Sequence, residues 1–262
     1  MKKFRCRRCG KCCSHIRSQN TEDEDFLREY AYGKLPLIQL LPVDKTSFPL
    51  WDFEAKRFKM WQRDVNIDAK IEPSRAIFDL KRNKSIIVTY YMDYDACPFL
   101  KDGLCLIYDK KRAFICRSFP FNKGPFLNIG EEIEKEKFFG SCPALKEILP
   151  SLDDKDKIKF VKQLYETFGE EFLNIVEFDY LQEWTNRMII KLIKERVIRP
   201  AIGYPYKYLL KRIKNSEKID FTDFLIEEKI KTKQEINELI ERLDNNTDAK
   251  EKIKNFLEQP TE

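Results

Sequence analysis

The sequence predicts an α+β fold, in which an irregular cysteine-rich region with a small antiparallel sheet is followed by an amphipathic helical region. Three observations predict it. All eight cysteines lie within the first 142 residues of the 262-residue chain. Residues 85–92 read Ser-Ile-Ile-Val-Thr-Tyr-Tyr-Met, a β-branched and aromatic run that is typical of a strand. After Pro150, apolar residues recur at the spacing of an amphipathic helix.

The elements of the first half are predicted to be short. Residues 1–20 indicate an irregular cysteine loop, and residues 22–32 indicate a short helix with apolar side chains on one side. From about 33 to 95, prolines punctuate a strand-like pattern, in which Trp51-Asp52-Phe53 alternates between apolar and polar residues. Residues 126–133 predict a further strand. These strands together would form the small sheet.

Apolar residues after Pro150 predict a series of amphipathic helices. The first helical face comprises Ile158, Val161, Leu164, Phe168, Phe172 and Ile175. A second helix continues the period with Leu181, Trp184, Met188 and Leu192. Thr232-Lys233-Gln234-Glu235 is a capping box that begins a later helix, and a last helix spans about 249–258. The sequence therefore divides into a cysteine region, 1–150, and a helical region, 151–262, which form one domain or two.

Composition indicates a folded protein with a strongly charged surface. Hydrophobic residues make up 42% of the chain and charged residues 35%, above the usual quarter. The net charge is +5, but lysines and arginines are interleaved with acidic residues, which is typical of a solvated surface. Only the basic N-terminal run and Tyr90-Tyr91 favour a nucleic-acid partner, so we expect none. The helical region offers apolar faces for a protein partner, although core packing explains them more simply.

The first residues, MKKFRCRRCG, are basic, but no apolar run of signal-peptide length follows them. No stretch approaches the roughly 18 consecutive apolar residues of a membrane span. We therefore expect a cytoplasmic protein without a membrane partner. Thiols stay reduced in that compartment, which favours metal binding over four disulfides.

Four cysteines open the chain at a spacing that metal sites use. Two residues separate Cys6 from Cys9 and Cys9 from Cys12, so a tight turn can direct these thiols at one ion. Cys13 follows Cys12 directly, and we expect its side chain to point elsewhere. It would then bind a second metal atom or, after a local bend, become a fourth ligand. Neighbouring lysines and arginines are expected to lower the pKa values of these thiols.

The candidate metal ligands are all eight thiols. They are Cys6, Cys9, Cys12, Cys13, Cys97, Cys105, Cys116 and Cys142. Two tetrahedral zinc sites, two [4Fe–4S] clusters, or one cluster with spectator thiols satisfy this number. The second group has longer gaps than the paired cysteines of a zinc ribbon, which favours an iron–sulfur cluster over zinc or iron ions. The single histidine, His15, stays open as a ligand, as a contact of a ligand, or as a residue without a metal role.

Residues around the cysteines make the chain resemble a known family. The first block is Cys6-x2-Cys9-Gly10-x-Cys12-Cys13. The blocks that follow it are Cys97-Pro98-Phe99-Leu100, Cys105-x-Ile107-Tyr108 and Cys116-Arg117-Ser118-Phe119-Pro120. This ordered series resembles the YkgJ-like zinc- or iron-chelating cysteine-cluster family over about residues 4–142. Where that family usually shows Arg-Pro, this chain has Lys111-Arg112-Ala113, a departure that bears on loop rigidity rather than on metal binding.

The resemblance implies cysteine thiolates that hold a metal or a cluster. Some members resemble flagellin lysine N-methylases, which carry this cysteine domain with an iron–sulfur centre. That further likeness implies, as an alternative, protein-lysine methyl transfer with S-adenosylmethionine. The eight glycines include no Gly-x-Gly pair, so the usual nucleotide-binding turn is missing. Nor does the first cysteine block match the Cys-x3-Cys-x2-Cys spacing of radical S-adenosylmethionine enzymes.

Non-cysteine residues of the same blocks have roles that suit a metal site. Phe99, Tyr108 and Phe119 are expected to shield the metal from water, and Arg117 is expected to offset thiolate charge or to bind an anionic substrate. Three functions stay open: a cysteine-bound iron–sulfur, zinc or iron protein of unknown substrate, a methyltransferase-like enzyme, and a zinc-stabilised adaptor. Whether the chain is an enzyme is not decided by its sequence, because no acid–base pair stands out among its 44 acidic residues.

Overall fold

The computed structural model describes residues 2–16, 35–41, 45, 47–121, 142–152 and 156–258. The helix expected at 22–32 and the strand expected at 126–133 lie outside these residues. The described part of the chain has a mixed α+β fold with a small sheet, as the sequence predicts. None of its helices combines the length and the apolar character that crossing a bilayer requires.

The elements follow one another in a mixed order along the chain. The strands are β1 (Ile38–Gln39), β2 (Leu50–Trp51), β3 (Ile71–Asp79), β4 (Lys84–Met92), β5 (Leu100–Lys101), β6 (Leu104–Cys105) and β7 (Glu217–Asp220). The α-helices are α1 (Asp52–Asp64), α2 (Phe114–Arg117), α3 (Lys157–Phe168), α4 (Glu170–Lys194), α5 (Tyr206–Asn215), α6 (Phe221–Glu227), α7 (Lys233–Asp244) and α8 (Thr247–Leu257). A short 3₁₀ turn spans Leu149–Ser151.

Two compact units are assembled from separate stretches of the chain. The first, here called the cysteine unit, comprises Met1–Cys13, Leu100–Trp184 and Glu238–Glu262. The second, the sheet unit, comprises Ser14–Phe99 and Thr185–Asn237. These units follow contacts rather than sequence character, and the division of the sequence at residue 150 stays a prediction.

The sheet unit is built on the strand that the sequence predicts most clearly. Strand β4 pairs antiparallel with β3 and with β2, and β1 pairs antiparallel with β3. Strand β7 adds a parallel partner to β4, so the five-stranded sheet is antiparallel except at this pair. One face of the sheet packs on α5 through a buried cluster. Its members are Ile38, Ala76, Phe78, Ile87, Ala201, Leu209 and Ile213.

The strand pattern expected between 33 and 95 is wrong over residues 52–64, where the chain forms helix α1. Trp51 ends a strand, and its N–H donates to Glu54 Oε2 at 3.0 Å, which begins the helix. Phe58 and Trp61 then fall on the buried side of α1. The alternation at Trp51-Asp52-Phe53 is too short to outweigh this helix start.

The cysteine unit is organised around helices α3 and α4. The sequence pattern places one helix across residues 158–175, but the structure ends α3 at Phe168 and begins α4 at Glu170. Gly169 lies between them at φ +54°, a backbone conformation that a helix cannot contain. A buried cluster of both helices fills this unit. Its largest members are Phe4, Phe121, Phe160, Phe168 and Phe172.

Two local predictions are confirmed. Glu235 N–H donates to Thr232 Oγ1 at 3.1 Å, and Thr232 N–H donates to Glu235 Oε2 at 2.8 Å, which completes the capping box of α7. Lys101-Asp102-Gly103 is a turn signal in the sequence, and it joins β5 to β6 in a hairpin, with Asp102 at φ +51° and Gly103 at φ +77°. The hairpin places Cys105 on a short strand.

Candidate metal centre

One cavity of the cysteine unit collects most of the thiols. It has a volume of about 200 Å³, room for several water molecules. Seven of the eight cysteines line it: Cys6, Cys9, Cys12, Cys13, Cys105, Cys116 and Cys142. We call it the cysteine cavity. These thiols come from an N-terminal loop, a hairpin strand, a short helix and the turn at residue 142, so the fold brings together groups up to 136 positions apart in the sequence.

The N-terminal loop is held against the helices of its unit before the first cysteine. Phe4 N–H donates to the carbonyl oxygen of Thr167 at 2.8 Å, and the Phe4 ring lies 5.3 Å from that of Phe168. Arg7 pairs with Glu147 at 3.0 Å, and Lys2 also contacts that carboxylate. The exposed ion pairs contribute little, so the buried Phe4 is the main anchor of the loop.

A tight turn reverses the loop and positions the adjacent cysteines. Gly10 has φ +70°, and Cys13 N–H donates to the carbonyl oxygen of Gly10 at 2.9 Å. The Sγ atoms of Cys12 and Cys13 lie 3.7 Å apart. The expectation that Cys13 points away from Cys12 is therefore wrong in the structure, because the turn directs both side chains toward the same cavity.

The hydrogen bond between the adjacent thiols separates their pKa values. This bond to Cys13, burial and the nearby charges of Cys13, Cys116 and Cys6 raise the pKa of Cys12 well above its usual value. The same hydrogen bond, opposed by burial and helped by the Arg112 charge, lowers the pKa of Cys13 to about 7. Cys13 is therefore the member of the pair that loses its proton first. The expectation that basic neighbours lower thiol pKa values holds for Cys13 and is wrong for Cys12, whose pKa is raised.

The other cavity thiols lie on a strand, a helix and a buried turn. Cys116 lies in α2, whose first turn is closed by a hydrogen bond from Cys116 N–H to the carbonyl oxygen of Ala113 at 2.9 Å. Cys142 is buried in the core of the unit. Burial raises the pKa of Cys105 above its usual value, against the opposing influence of Arg112. These three thiols thus come from fixed elements, whereas Cys6 and Cys9 are exposed on the loop.

Basic and aromatic side chains complete the cavity wall. The guanidinium carbons of Arg8 and Arg112 lie 3.9 and 4.1 Å from the centroid of the Tyr108 ring. Arg117 Nε donates to the carbonyl oxygen of Arg112 at 2.8 Å, and its guanidinium lies 3.8 Å from Asp244. Five basic and two acidic residues line the cavity, so its wall can offset part of the charge of a thiolate.

Several cavity residues were not identified from the sequence. Glu171 lies at the start of α4, in the part of the chain that was expected only to pack, and burial raises its pKa to about 7. Arg8 and Arg112 were noted in the sequence without a connection to Tyr108. Only the three-dimensional structure connects them, because the stacking joins the loop to the segment after the hairpin. Of the expected shielding residues, Tyr108 and Phe119 line the cavity.

Three residues of the sequence prediction belong to the sheet unit. Cys97 belongs to the sheet unit, as does Phe99, whose ring packs edge-on against Phe58 at 5.3 Å. His15 also belongs to the sheet unit and is exposed. The metal assignment of Cys97 and any metal role of His15 stay predictions.

The cysteines are reduced, and their side chains do not yet form a ligand set. None of the eight is in a disulfide. Within the part of the chain that the structure describes, no group of three or more His, Cys, Asp or Glu side chains is arranged to hold a metal ion. Holding an ion would therefore require side-chain rotation, most easily at the exposed Cys6 and Cys9.

Comparison of the chain with family models, curated proteins and solved structures found no match.

Proposed function

We propose that this chain is a metal-binding protein, in which thiolates of the cysteine cavity hold an iron–sulfur cluster or zinc or iron ions. The observation that carries the proposal is the convergence of seven thiols on one cavity. Structural cysteines of a reduced protein are usually dispersed through the core, where each packs as a small apolar side chain. Here the thiols share a basic and partly exposed wall, which is the environment of a thiolate ligand.

The donor set fits a centre bound by sulfur. Around zinc, with a Zn–S distance of about 2.3 Å, the sulfurs of a tetrahedron lie about 3.8 Å apart. Cys12 and Cys13 already stand at 3.7 Å. Cys6 and Cys116 line the same cavity and lie near enough to Cys12 for their charges to affect its pKa. Cys105 has this relation to Cys13 only. We therefore infer that Cys6, Cys12, Cys13 and Cys116 form the primary ligand set.

The number of thiols favours one four-ligand centre over two separate tetrahedral sites. Two independent tetrahedral sites made only of cysteine need eight thiolates, whereas seven line the cavity. A [4Fe–4S] cluster and a single zinc ion each need four. The remaining thiols, Cys9, Cys105 and Cys142, would then surround the centre or replace a ligand.

An iron–sulfur cluster bound here would supply one-electron redox chemistry, whereas zinc would supply structural cross-linking. The chain's own side chains would tune either centre. Arg8 and Arg112 offset thiolate charge, and Tyr108, with Phe119, limits the access of water. The resemblance to cysteine-cluster proteins supports the same proposal through the order of the cysteine blocks. It does not identify a substrate.

Anaerobic purification followed by metal and acid-labile sulfide analysis tests the proposal. We expect about four irons and four sulfides per chain, with a broad absorption band, if a cubane is bound. A colourless protein that contains zinc but no sulfide would indicate a structural zinc site instead of a cluster. A protein that stays free of metal after reconstitution with iron and sulfide and, separately, with zinc would overturn the proposal.

A further inference from the structure

Besides the basic N-terminal run, positive charge is concentrated in a stretch of the sheet unit, residues 194–218, which we call the basic segment. It contains eight basic and two acidic residues, a net charge of +6 against +5 for the whole chain. All eight basic side chains are exposed. They are Lys194, Arg196, Arg199, Lys207, Lys211, Arg212, Lys214 and Lys218. The interleaving of basic and acidic residues noted for the whole sequence therefore does not extend to this segment.

The cations of the basic segment lack carboxylate partners within the described residues. The two acidic residues of the segment pair with cations outside it, Glu195 with Lys191 at 3.9 Å and Glu217 with Lys84 at 2.8 Å. Three lysines follow one another on α5 at spacings of four and three residues, where like charges repel across one helix face. We call Lys207, Lys211 and Lys214 the lysine row. An anionic partner would relieve this repulsion.

Beside the lysine row lies an exposed aromatic pair. Tyr204 and Tyr208 are 42% and 45% exposed, and their rings stack with centroids 5.7 Å apart and planes 17° from parallel. The Arg212 guanidinium lies over the Tyr208 ring at 5.9 Å and over the Phe78 ring at 5.3 Å, while Arg212 Nη2 donates to Asn83 Oδ1 at 2.5 Å. Two partly exposed aromatic side chains and a fixed guanidinium therefore stand next to a row of lysines.

The buried side of α5 favours a nucleic acid over a membrane as the anionic partner of this surface. Leu209 and Ile213 are buried in the core of the sheet unit. A helix that lies on a membrane inserts its apolar face among the lipids, and α5 has already used that face for folding. The exposed face combines stacked aromatic rings with cations, which is the combination that binds single-stranded nucleic acids.

Against the expectation from the sequence that the chain has no nucleic-acid partner, we propose that the basic segment binds single-stranded nucleic acid. The lysine row neutralises backbone phosphates, and bases stack on Tyr204 and Tyr208. Because every base has a flat π-face and every phosphate carries the same charge, this surface accepts strands of differing sequence. The inference is independent of the proposed metal function, since all of its residues belong to the sheet unit.

Fluorescence anisotropy of the full chain with labelled oligo(dT) and oligo(rU) tests this inference over a range of salt concentrations. Binding should weaken as salt rises, with a logarithmic slope of about −0.7 per neutralised phosphate. Changing the lysine row to glutamine should lower affinity and make that slope shallower by about 2. A matched triple variant on α3, Lys157→Gln, Lys159→Gln and Lys162→Gln, should change neither quantity much.

Tyrosine variants separate stacking from charge. Tyr204→Ala with Tyr208→Ala should weaken binding by about fivefold or more per ring while leaving the salt slope unchanged, and Tyr204→Phe with Tyr208→Phe should retain affinity. Circular dichroism confirms that each variant is folded. Three results would overturn the proposal: no binding at low salt, an equal loss in the α3 variant, or binding of anionic vesicles or polyglutamate in preference to the oligonucleotides.

Discussion

Gly10 approaches Gly103 so closely that a Cβ atom at Gly10 would lie 3.1 Å from the carbonyl oxygen of Gly103. It would also lie 2.9 Å from Leu100 Cδ1. The N-terminal loop and the β5–β6 hairpin therefore meet through backbone atoms. This contact brings the loop that carries Cys12 and Cys13 next to the strand that carries Cys105, and the cysteine cavity depends on it.

Gly10→Ala is expected to loosen this contact. The φ of +70° is strained for alanine by about 1–2 kcal/mol, and the added methyl group also meets a carbonyl oxygen that cannot rotate away. We predict a lower free energy of unfolding in urea denaturation, together with a lower metal content after reconstitution.

Gly103→Ala is the matched control, because Gly103 also has a positive φ but would place its Cβ in open space. This variant should lose only the stability that corresponds to the strained backbone of alanine at positive φ, about 1–2 kcal/mol, and should keep its metal. Equal metal loss in both variants would show that the approach of Gly10 to the hairpin does not matter for the site.

Cysteine variants distinguish the cavity from the rest of the chain. Cys9→Ser and Cys116→Ser should each reduce metal content and solubility, because each removes a thiol from the cavity wall. The reduction should be greater for Cys116, which belongs to the primary ligand set, than for Cys9. Metal analysis of variants purified side by side under anaerobic conditions measures both effects.

Cys97→Ser serves as the reference, since Cys97 belongs to the sheet unit. If the site is confined to the cysteine cavity, this variant should retain the metal content of the wild type. If Cys97→Ser loses as much metal as Cys116→Ser, the assignment of the site to the cysteine cavity alone is contradicted. Full loading of the two cavity variants would contradict the ligand assignment itself.

The fold was predictable where a pattern is long and local. Strand β4 rests on eight consecutive residues that favour strands, and the structure extends it by a single residue at Lys84. The capping box predicts two hydrogen bonds between Thr232 and Glu235, and both form. Helix α1 was missed because one hydrogen bond to Glu54 outweighs a three-residue alternation. Local patterns of that length do not determine structure.

The candidate site was predictable as a list of residues but not as a geometry. The spacing of the cysteines identifies all seven cavity thiols, yet it cannot separate them from Cys97, because spacing carries no information about which unit a residue joins. The direction of Cys13 depends on the positive φ of Gly10, and this backbone choice has only a weak signal in the sequence. Glu171 enters the cavity through the packing of α4.

Stability of the cysteine unit should depend on pH through Glu177. This carboxyl group is buried and accepts a hydrogen bond from Ala249 N–H at 2.7 Å, at the start of α8. Burial, with the nearby charge of Asp248, raises its pKa from 4.5 to about 8. The folded state therefore keeps a proton that the unfolded state releases, and the free energy of unfolding should fall as pH rises from about 4.5 to about 8.

Glu177→Gln removes the ionisable group while keeping an oxygen that accepts from Ala249. The free energy of unfolding of the variant should not show this decrease with pH. The variant should therefore gain stability relative to the wild type as pH approaches 8. Urea denaturation at a series of pH values measures the difference. A wild type and a variant with parallel profiles between pH 5 and 8 would contradict the role of Glu177.

X-ray absorption at the metal edge of the anaerobically purified chain tests the central claim most directly. If the thiolates of the cysteine cavity hold the metal, the first shell should contain sulfur at about 2.3 Å, with about four sulfurs per metal atom. Cys12→Ser should replace part of that shell with oxygen or nitrogen, and Cys97→Ser should leave it unchanged. A first shell made only of oxygen and nitrogen in the wild type would contradict the account.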